Sequence, residues 1–252
     1  MTRARLTDPQ PVVSERIRQR LETKMAERGI DLAKAQLADT PEPIPALEAA
    51  QKRIPVDYRE ALPEHPDVAA WVHTVAEGAV APHADGLNPH YGTAGRRRIA
   101  HGSSLLLWGD TGTGKTHQAY GAVRALTAAG CGVTWHATTA ADLYAEMRPR
   151  PGVDLEHMLR RIVRVPLLLL DDLGAAKGSE WTEEINFRLL NWRAQNHLPT
   201  IITSNLPPVR TEKTDPRQPV LRDKVGDRVL SRLSGMCAPV RFTGDDRRFQ
   251  RR

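Results

Sequence analysis

Gly109-Asp110-Thr111-Gly112-Thr113-Gly114-Lys115-Thr116 is the stretch on which the fold turns. It satisfies the spacing G-x-x-x-x-G-K-[ST] at every fixed position. The glycines let the backbone curl so that its N–H groups point inward at phosphate oxygens. Lys115 supplies a positive charge to the β- and γ-phosphates, and Thr116 offers a hydroxyl to Mg²⁺. A helix starting here adds its positive N-terminal end. The context fits: an apolar run, Leu105–Trp108, precedes the loop. An amphipathic stretch, Thr116–Ala129, follows it with Ala119, Ala122, Val123 and Leu126 on one face. The spacing predicts an ATP and Mg²⁺ site at a strand-to-helix turn.

Magnesium bound to phosphates needs carboxylate help. Leu167-Leu168-Leu169-Leu170-Asp171-Asp172 supplies it. Four consecutive leucines read as a strand covered on both faces, with Asp171 at its end to hold the metal through water. Asp172 is placed to orient or activate an attacking water, so hydrolysis of the γ-phosphate is the expected chemistry. A capping pair after a strand is the plainer alternative.

Around these two motifs, apolar runs alternate with helical segments. Gly132–His136, Thr200–Ser204 and Pro239–Phe242 read as strands, the last at an edge. Ala140–Arg148, Asp154–Arg164, Thr182–Asn196 and Val220–Leu233 read as helices. Such alternation predicts an α/β fold, with a parallel five-stranded sheet flanked by helices over residues 96–252. Residues 1–95 read differently, as a small helical N-terminal region with a linker. Residues 1–13 read as a disordered arm and Ser14–Gln36 as a helix capped by Ser14. Residues 38–48, with three prolines, form a linker, and His65–Glu77 is a second helix with Val68, Trp71, Val72 and Val75 on one face. Gly78–Gly102 reads as a loop, with Arg96-Arg97-Arg98 solvated.

Composition narrows the class. Hydrophobic residues make up 40% of the 252, enough for a core. No run of about 20 apolar residues offers a membrane span, and the charged start predicts no secretory signal. Cys131 and Cys237 are too few and too far apart for a disulfide scaffold or a four-ligand zinc site. Two reduced thiols imply a cytoplasmic protein. The net charge is +6. From Asn205 to Arg252 there are 12 Lys and Arg against 6 Asp and Glu, so this tail carries the whole excess. A clustered basic surface is the electrostatic footprint of nucleic-acid contact; a solvated basic tail is the alternative. Trp108 and Trp135 fall in predicted strands and are expected in the core.

The chain resembles AAA+ ATPases of the DnaC/IstB type, bacterial helicase loaders and transposition helper ATPases. The resemblance covers roughly Arg53 to Arg248. It rests on GDTGTGKT, on LLLLDDLG (Leu167–Gly174), on Thr203-Ser204-Asn205-Leu206 and on Gly226-Asp227-Arg228-Val229-Leu230-Ser231-Arg232-Leu233. The closing Phe242-Thr243-Gly244-Asp245-Asp246-Arg247-Arg248 is similar as well. It implies that Asn205 reads the γ-phosphate from a neighbouring strand; a turn or cap before Pro207-Pro208 is the alternative. It implies that Arg228 or Arg232, one helical turn apart, reaches the ATP of the next subunit, with Arg232 preferred and a salt-bridged surface as the alternative. It implies that Arg248, or else Arg247, touches the bound nucleotide. Many AAA+ ATPases carry Glu where this chain has Asp172, and the shorter carboxylate implies slow, switch-like hydrolysis. No cysteine precedes Cys131, so the cysteine-based zinc site of some loaders is excluded in the N-terminal region.

The resemblance implies an ATPase that assembles as a homo-oligomer on ATP in DNA replication. Residues 1–95 would bind the replicative DNA helicase, and basic residues would hold single-stranded DNA. A transposition helper acting on duplex DNA with a transposase is the close alternative. A small-molecule P-loop kinase is a third, for which Arg148, Arg150, Arg160, Arg161 and Arg164 would serve as a lid. A nucleotide-gated adaptor without turnover is disfavoured by the intact Lys115, Thr116, Asp171 and Asp172.

Overall fold

The computed structural model describes residues 50–79, 97–132, 134–212 and 214–247. All fall in one compact unit, residues 42–252. The expected helix Ser14–Gln36, the linker 38–48 and Arg248 lie outside the described residues. In chain order the described elements begin with α1 (Pro66–Glu77), β1 (Arg97–Arg98), β2 (Ser104–Gly109), α2 (Lys115–Ala128), β3 (Cys131–Gly132), β4 (Trp135–Thr139) and α3 (Ala140–Glu146). They continue with α4 (Leu155–Val163), β5 (Leu167–Asp171), α5 (Glu180–Gln195), β6 (Thr200–Ser204), α6 (Leu221–Val225), α7 (Asp227–Met236) and β7 (Cys237–Phe242).

Five strands form one parallel sheet in the order β4-β5-β6-β2-β7. Its strands are short apolar runs because both faces are covered. Leu105, Leu107, Leu167 and Leu169 point into a core shared with α1 and α2. The alternate residues Leu106, Leu168 and Leu170 point into a second core with α3, α4, α5 and α7. That is the period of two expected of a strand, with both phases apolar.

Three local differences from the sequence expectation have visible causes. Arg97 and Arg98 are not all loop: they pair in parallel with Cys131 and Gly132 as a separate two-stranded ladder. The single strand expected over Gly132–His136 is therefore two, β3 and β4. The single helix expected over Val220–Leu233 is also two. Gly226 adopts φ 82° and ψ 164°, a conformation closed to residues with a Cβ, and splits α6 from α7.

Residues 54–65 dock on α2, and this brings part of the N-terminal region into the sheet's own core. The Gln118 side chain accepts from His65 N–H at 2.9 Å and donates to the Leu62 carbonyl at 3.2 Å. Arg124 donates to the Ala61 carbonyl at 2.7 Å. Gly121 makes the approach possible, since a Cβ there would sit 2.5 Å from the Leu62 carbonyl carbon. Arg193, fully buried, fastens the far end of the sheet by donating to Thr200 Oγ1 and to the carbonyls of Val163, Val165 and Pro199.

Candidate nucleotide site

The site is built where three adjacent strands end. β6 lies between β2 and β5, so the segment Thr203-Ser204-Asn205 runs between the phosphate loop and the acidic pair. Ligands of open α/β sheets bind at the carboxyl ends of the strands. Here a cavity of about 310 Å³ opens at that edge, lined by Tyr58, Glu64, Thr111, Gly112, Gly114, Lys115, Thr116, His117, Asp172, Asn205 and Arg247.

The loop is held in a curled shape. Gly112 and Gly114 take φ of 78° and 97°, and Gly114 caps α2. Thr113, buried, donates to the Asp110 carbonyl at 2.8 Å. The Lys115 ammonium is buried beneath the loop and donates to the carbonyls of Gly109 and Asp110 at 2.9 and 2.6 Å. It is thus fixed where anionic oxygens on the loop would meet it.

Thr116 Oγ1 lies 3.0 and 3.3 Å from the two carboxylate oxygens of Asp171 and donates to them. Burial raises the proton affinity of the Asp171 carboxyl; the hydrogen bond from Thr203 opposes this, and the negative charge of Asp172 adds to it. A divalent cation between Thr116, Asp171 and bound phosphates would reverse the rise, so the donor set fits Mg²⁺. Among the described residues there is no group of three or more His, Cys, Asp or Glu able to hold a metal alone.

Asp172 takes a left-handed backbone, φ 54°, and its Oδ1 accepts from Asn205 Nδ2 at 3.2 Å. Both side chains face the cavity. Arg247 arrives at the loop because β7 pairs with β2 in the register Gly109↔Phe242. Its N–H donates to the Gly112 carbonyl at 3.1 Å, and its guanidinium lies 3.7 Å from Glu64. The neighbouring Asp246 carboxylate packs so closely that a Cβ on Gly112 would fall 2.1 Å from it.

Arg228 and Arg232 do not line this cavity. They lie exposed on α7, over the ring of Phe187 at 3.9 and 5.9 Å, and Arg228 is 3.8 Å from Glu184. The arginines considered as a kinase lid are also elsewhere: Arg160 pairs with Glu156 at 3.1 Å and Arg164 covers Trp192. Part of the basic tail is neutralised locally, by Arg210–Asp223 and Arg222–Asp227 pairs. Trp135 is buried as expected, while Trp181 and Trp192 are exposed.

Tyr58, Glu64 and His117 also line the cavity and were not among the residues expected there. Tyr58 stacks on Tyr120 with centroids 4.9 Å apart and meets His117 edge-on at 6.5 Å. His117 follows the motif directly and was findable as the next residue of the helix. Tyr58 carries no such signal; only the docking of residues 54–65 on α2 brings it to the cavity.

Loop, acidic pair and inserted strand define a P-loop nucleotide-binding protein with the sheet order of AAA+ ATPases. The sequence model of the family described as IstB-like ATP binding protein matches residues 92–252, and the chain belongs to that family. The replicative helicase loader DnaI of Bacillus subtilis (strain 168) is 30% identical over 97 residues, 37% of this chain. Those residues span only 31% of that relative's length. The crystal structure of the DnaC helicase loader matches with a TM-score of 0.55 and 23% identity, covering 75% of this chain and all of that one. A candidate primosome component from Streptococcus pyogenes serotype M3 matches with a TM-score of 0.52 and 20% identity, over 78% of this chain and 96% of that one. These two likenesses establish the fold. No helix among the described residues is long and apolar enough to cross a membrane.

Proposed function

We propose that this protein binds ATP with Mg²⁺, hydrolyses it slowly, and acts in DNA replication as a helicase-loader-like factor on single-stranded DNA. One observation carries the ATPase assignment: the cavity at the phosphate loop gathers Lys115, Asp172 and Asn205, with Thr116 and Asp171 at its base. Lys115 and the loop N–H groups would bind the phosphates. Thr116 and Asp171 would hold Mg²⁺, which supplies charge neutralisation for the leaving phosphates when bound. Asp172, steadied by Asn205, would orient the attacking water. The short carboxylate favours slow turnover.

Arg228 and Arg232 are exposed on α7 and away from the cavity of their own chain. If either acts at phosphate it would do so on the ATP of a second copy, in a homo-oligomer formed on ATP, and Arg248 or Arg247 would touch the nucleotide in cis. The similarity to a helicase loader supports a replicative helicase as partner, contacted through residues 1–95, with 96–252, completed by the docked residues 54–79 that share its core and cavity, as the ATPase domain and the cytoplasm as its place of action. The family match favours one second reading, a transposition helper that binds duplex DNA.

Binding of the full chain to single-stranded and duplex oligonucleotides, with and without ATP and across a salt series, separates the two. ATP-dependent preference for single strands, together with capture of a replicative helicase hexamer, is the expected result. ATP-dependent preference for duplex without helicase capture would replace the loader reading by the transposition one.

A further inference from the structure

We infer that Thr203 is a positioning residue for the hydrolytic centre, its single hydroxyl setting Asp171 and Asp172 relative to each other. The inference rests on the ATPase reading proposed above and adds a residue to it.

Thr203 sits fully buried near the end of β6. Its Oγ1 donates to Asp171 Oδ1. The same oxygen accepts from the Asp172 backbone N–H at 2.9 Å. These roles are forced: an amide N–H only donates, a carboxylate only accepts, and a hydroxyl has one proton and two lone pairs. One side chain therefore contacts the metal-site carboxylate and the backbone of the water-orienting residue at once.

The backbone it contacts is in an unfavourable conformation. Asp172 has φ 54°, a left-handed geometry that side chains with a Cβ resist and that persists only where neighbours over-determine it. Those neighbours are three consecutive residues of β6 and the turn after it. Thr203 holds the Asp172 N–H, and its carbonyl accepts from Leu173 N–H at 2.9 Å. Ser204 Oγ donates to the Leu173 carbonyl at 2.8 Å. Asn205 holds the Asp172 carboxylate. Of the three, only Thr203 reaches both aspartates.

Replacing Thr203 by Val keeps the shape and removes the hydroxyl. Asp171 loses a donor, and the Asp172 N–H loses the acceptor that fixes its turn. Hydrogen bonds to charged groups are among the stronger ones, so the effect should be large and specific to the metal and water steps.

The test compares wild type with Thr203→Val, Thr203→Cys and Thr203→Ser in the full chain. Phosphate release at saturating ATP and the Mg²⁺ concentration giving half-maximal ATP binding are both measured. Thr203→Val and Thr203→Cys should lower turnover about tenfold or more and raise the Mg²⁺ midpoint severalfold. ATP affinity at high Mg²⁺ should stay within about threefold, and Thr203→Ser should restore both readouts. Cys guards against a misfolded Val variant, being close in size with a weak donor. A lowered melting temperature with unchanged turnover and Mg²⁺ midpoint would make Thr203 a packing residue and overturn the inference. If wild type itself releases no phosphate, the ATPase reading fails. The Mg²⁺ midpoint still decides Thr203: a shift rescued by Ser supports it, and no shift overturns it.

Discussion

The Asn205 amide donates to Asp172 Oδ1 at 3.2 Å, joining the turn after one strand to the turn after its neighbour. The bond holds one Asp172 oxygen; in the proposed ATPase the other would orient the attacking water. Asp172→Asn should therefore reduce ATP turnover by about a hundredfold or more, the range for loss of a general base. Asn205→Ala should reduce it by about tenfold through loss of orientation alone. Both variants should keep ATP affinity within about threefold, which a fluorescent-nucleotide titration beside a phosphate-release assay would read.

Tyr58 belongs to the nucleotide cavity although it lies 51 residues before the motif's first glycine. Its ring, stacked on Tyr120, would cover the non-phosphate part of a bound nucleotide. Tyr58→Ala should weaken ATP binding by about fivefold, corresponding to an aromatic contact of about 1 kcal/mol. Inorganic triphosphate, which has no base to cover, should bind equally to both proteins. Competition titrations of the two ligands check this.

Gly226 separates α6 from α7 in a conformation that only glycine takes readily. A Cβ there would also fall 2.3 Å from the Glu183 carboxylate. Gly226→Ala should cost about 1–3 kcal/mol of stability, seen as a lower urea midpoint at unchanged slope.

The strands and the phosphate loop were legible in the sequence because their signals are local. A run of four leucines has one reading when both its phases meet apolar cores, and the glycines and Lys115 need a fixed spacing. What was missed depends on contacts distant in sequence. The Arg97–Arg98 pairing needs Cys131 and Gly132 beside it. Tyr58 needs Gln118, Gly121 and Arg124 to dock its segment. The break at Gly226 was local, yet the apolar spacing of Val225, Val229 and Leu233 runs through it and masks it. Thr203 stood in a quoted motif, but its two-way bonding appears only when β5 and β6 are side by side.

The two thiols should be inert in the folded protein. Burial pushes the Cys237 thiol from its ordinary 9.0 up to about 12, and Cys131 is buried. The thiolate is the reactive form, so alkylation of Cys237 should stay slow from pH 7 to about 10 and become fast only on unfolding. Its proton is retained longer by the folded state. The associated stability is therefore complete below about pH 9 and lost as pH rises toward 12. Mass spectrometry of iodoacetamide-treated protein, native and in urea, measures the difference.

Phosphate release from ATP by the full chain, with and without single-stranded DNA and with Lys115→Ala alongside, tests the central claim most directly. Lys115 is buried under the loop with its ammonium held by two loop carbonyls, so its loss should abolish phosphate binding without exposing new surface. Slow, Mg²⁺-dependent turnover that rises with single-stranded DNA and disappears in Lys115→Ala is the predicted result. Turnover that persists undiminished in Lys115→Ala would contradict it, because the chemistry would then lie outside this loop.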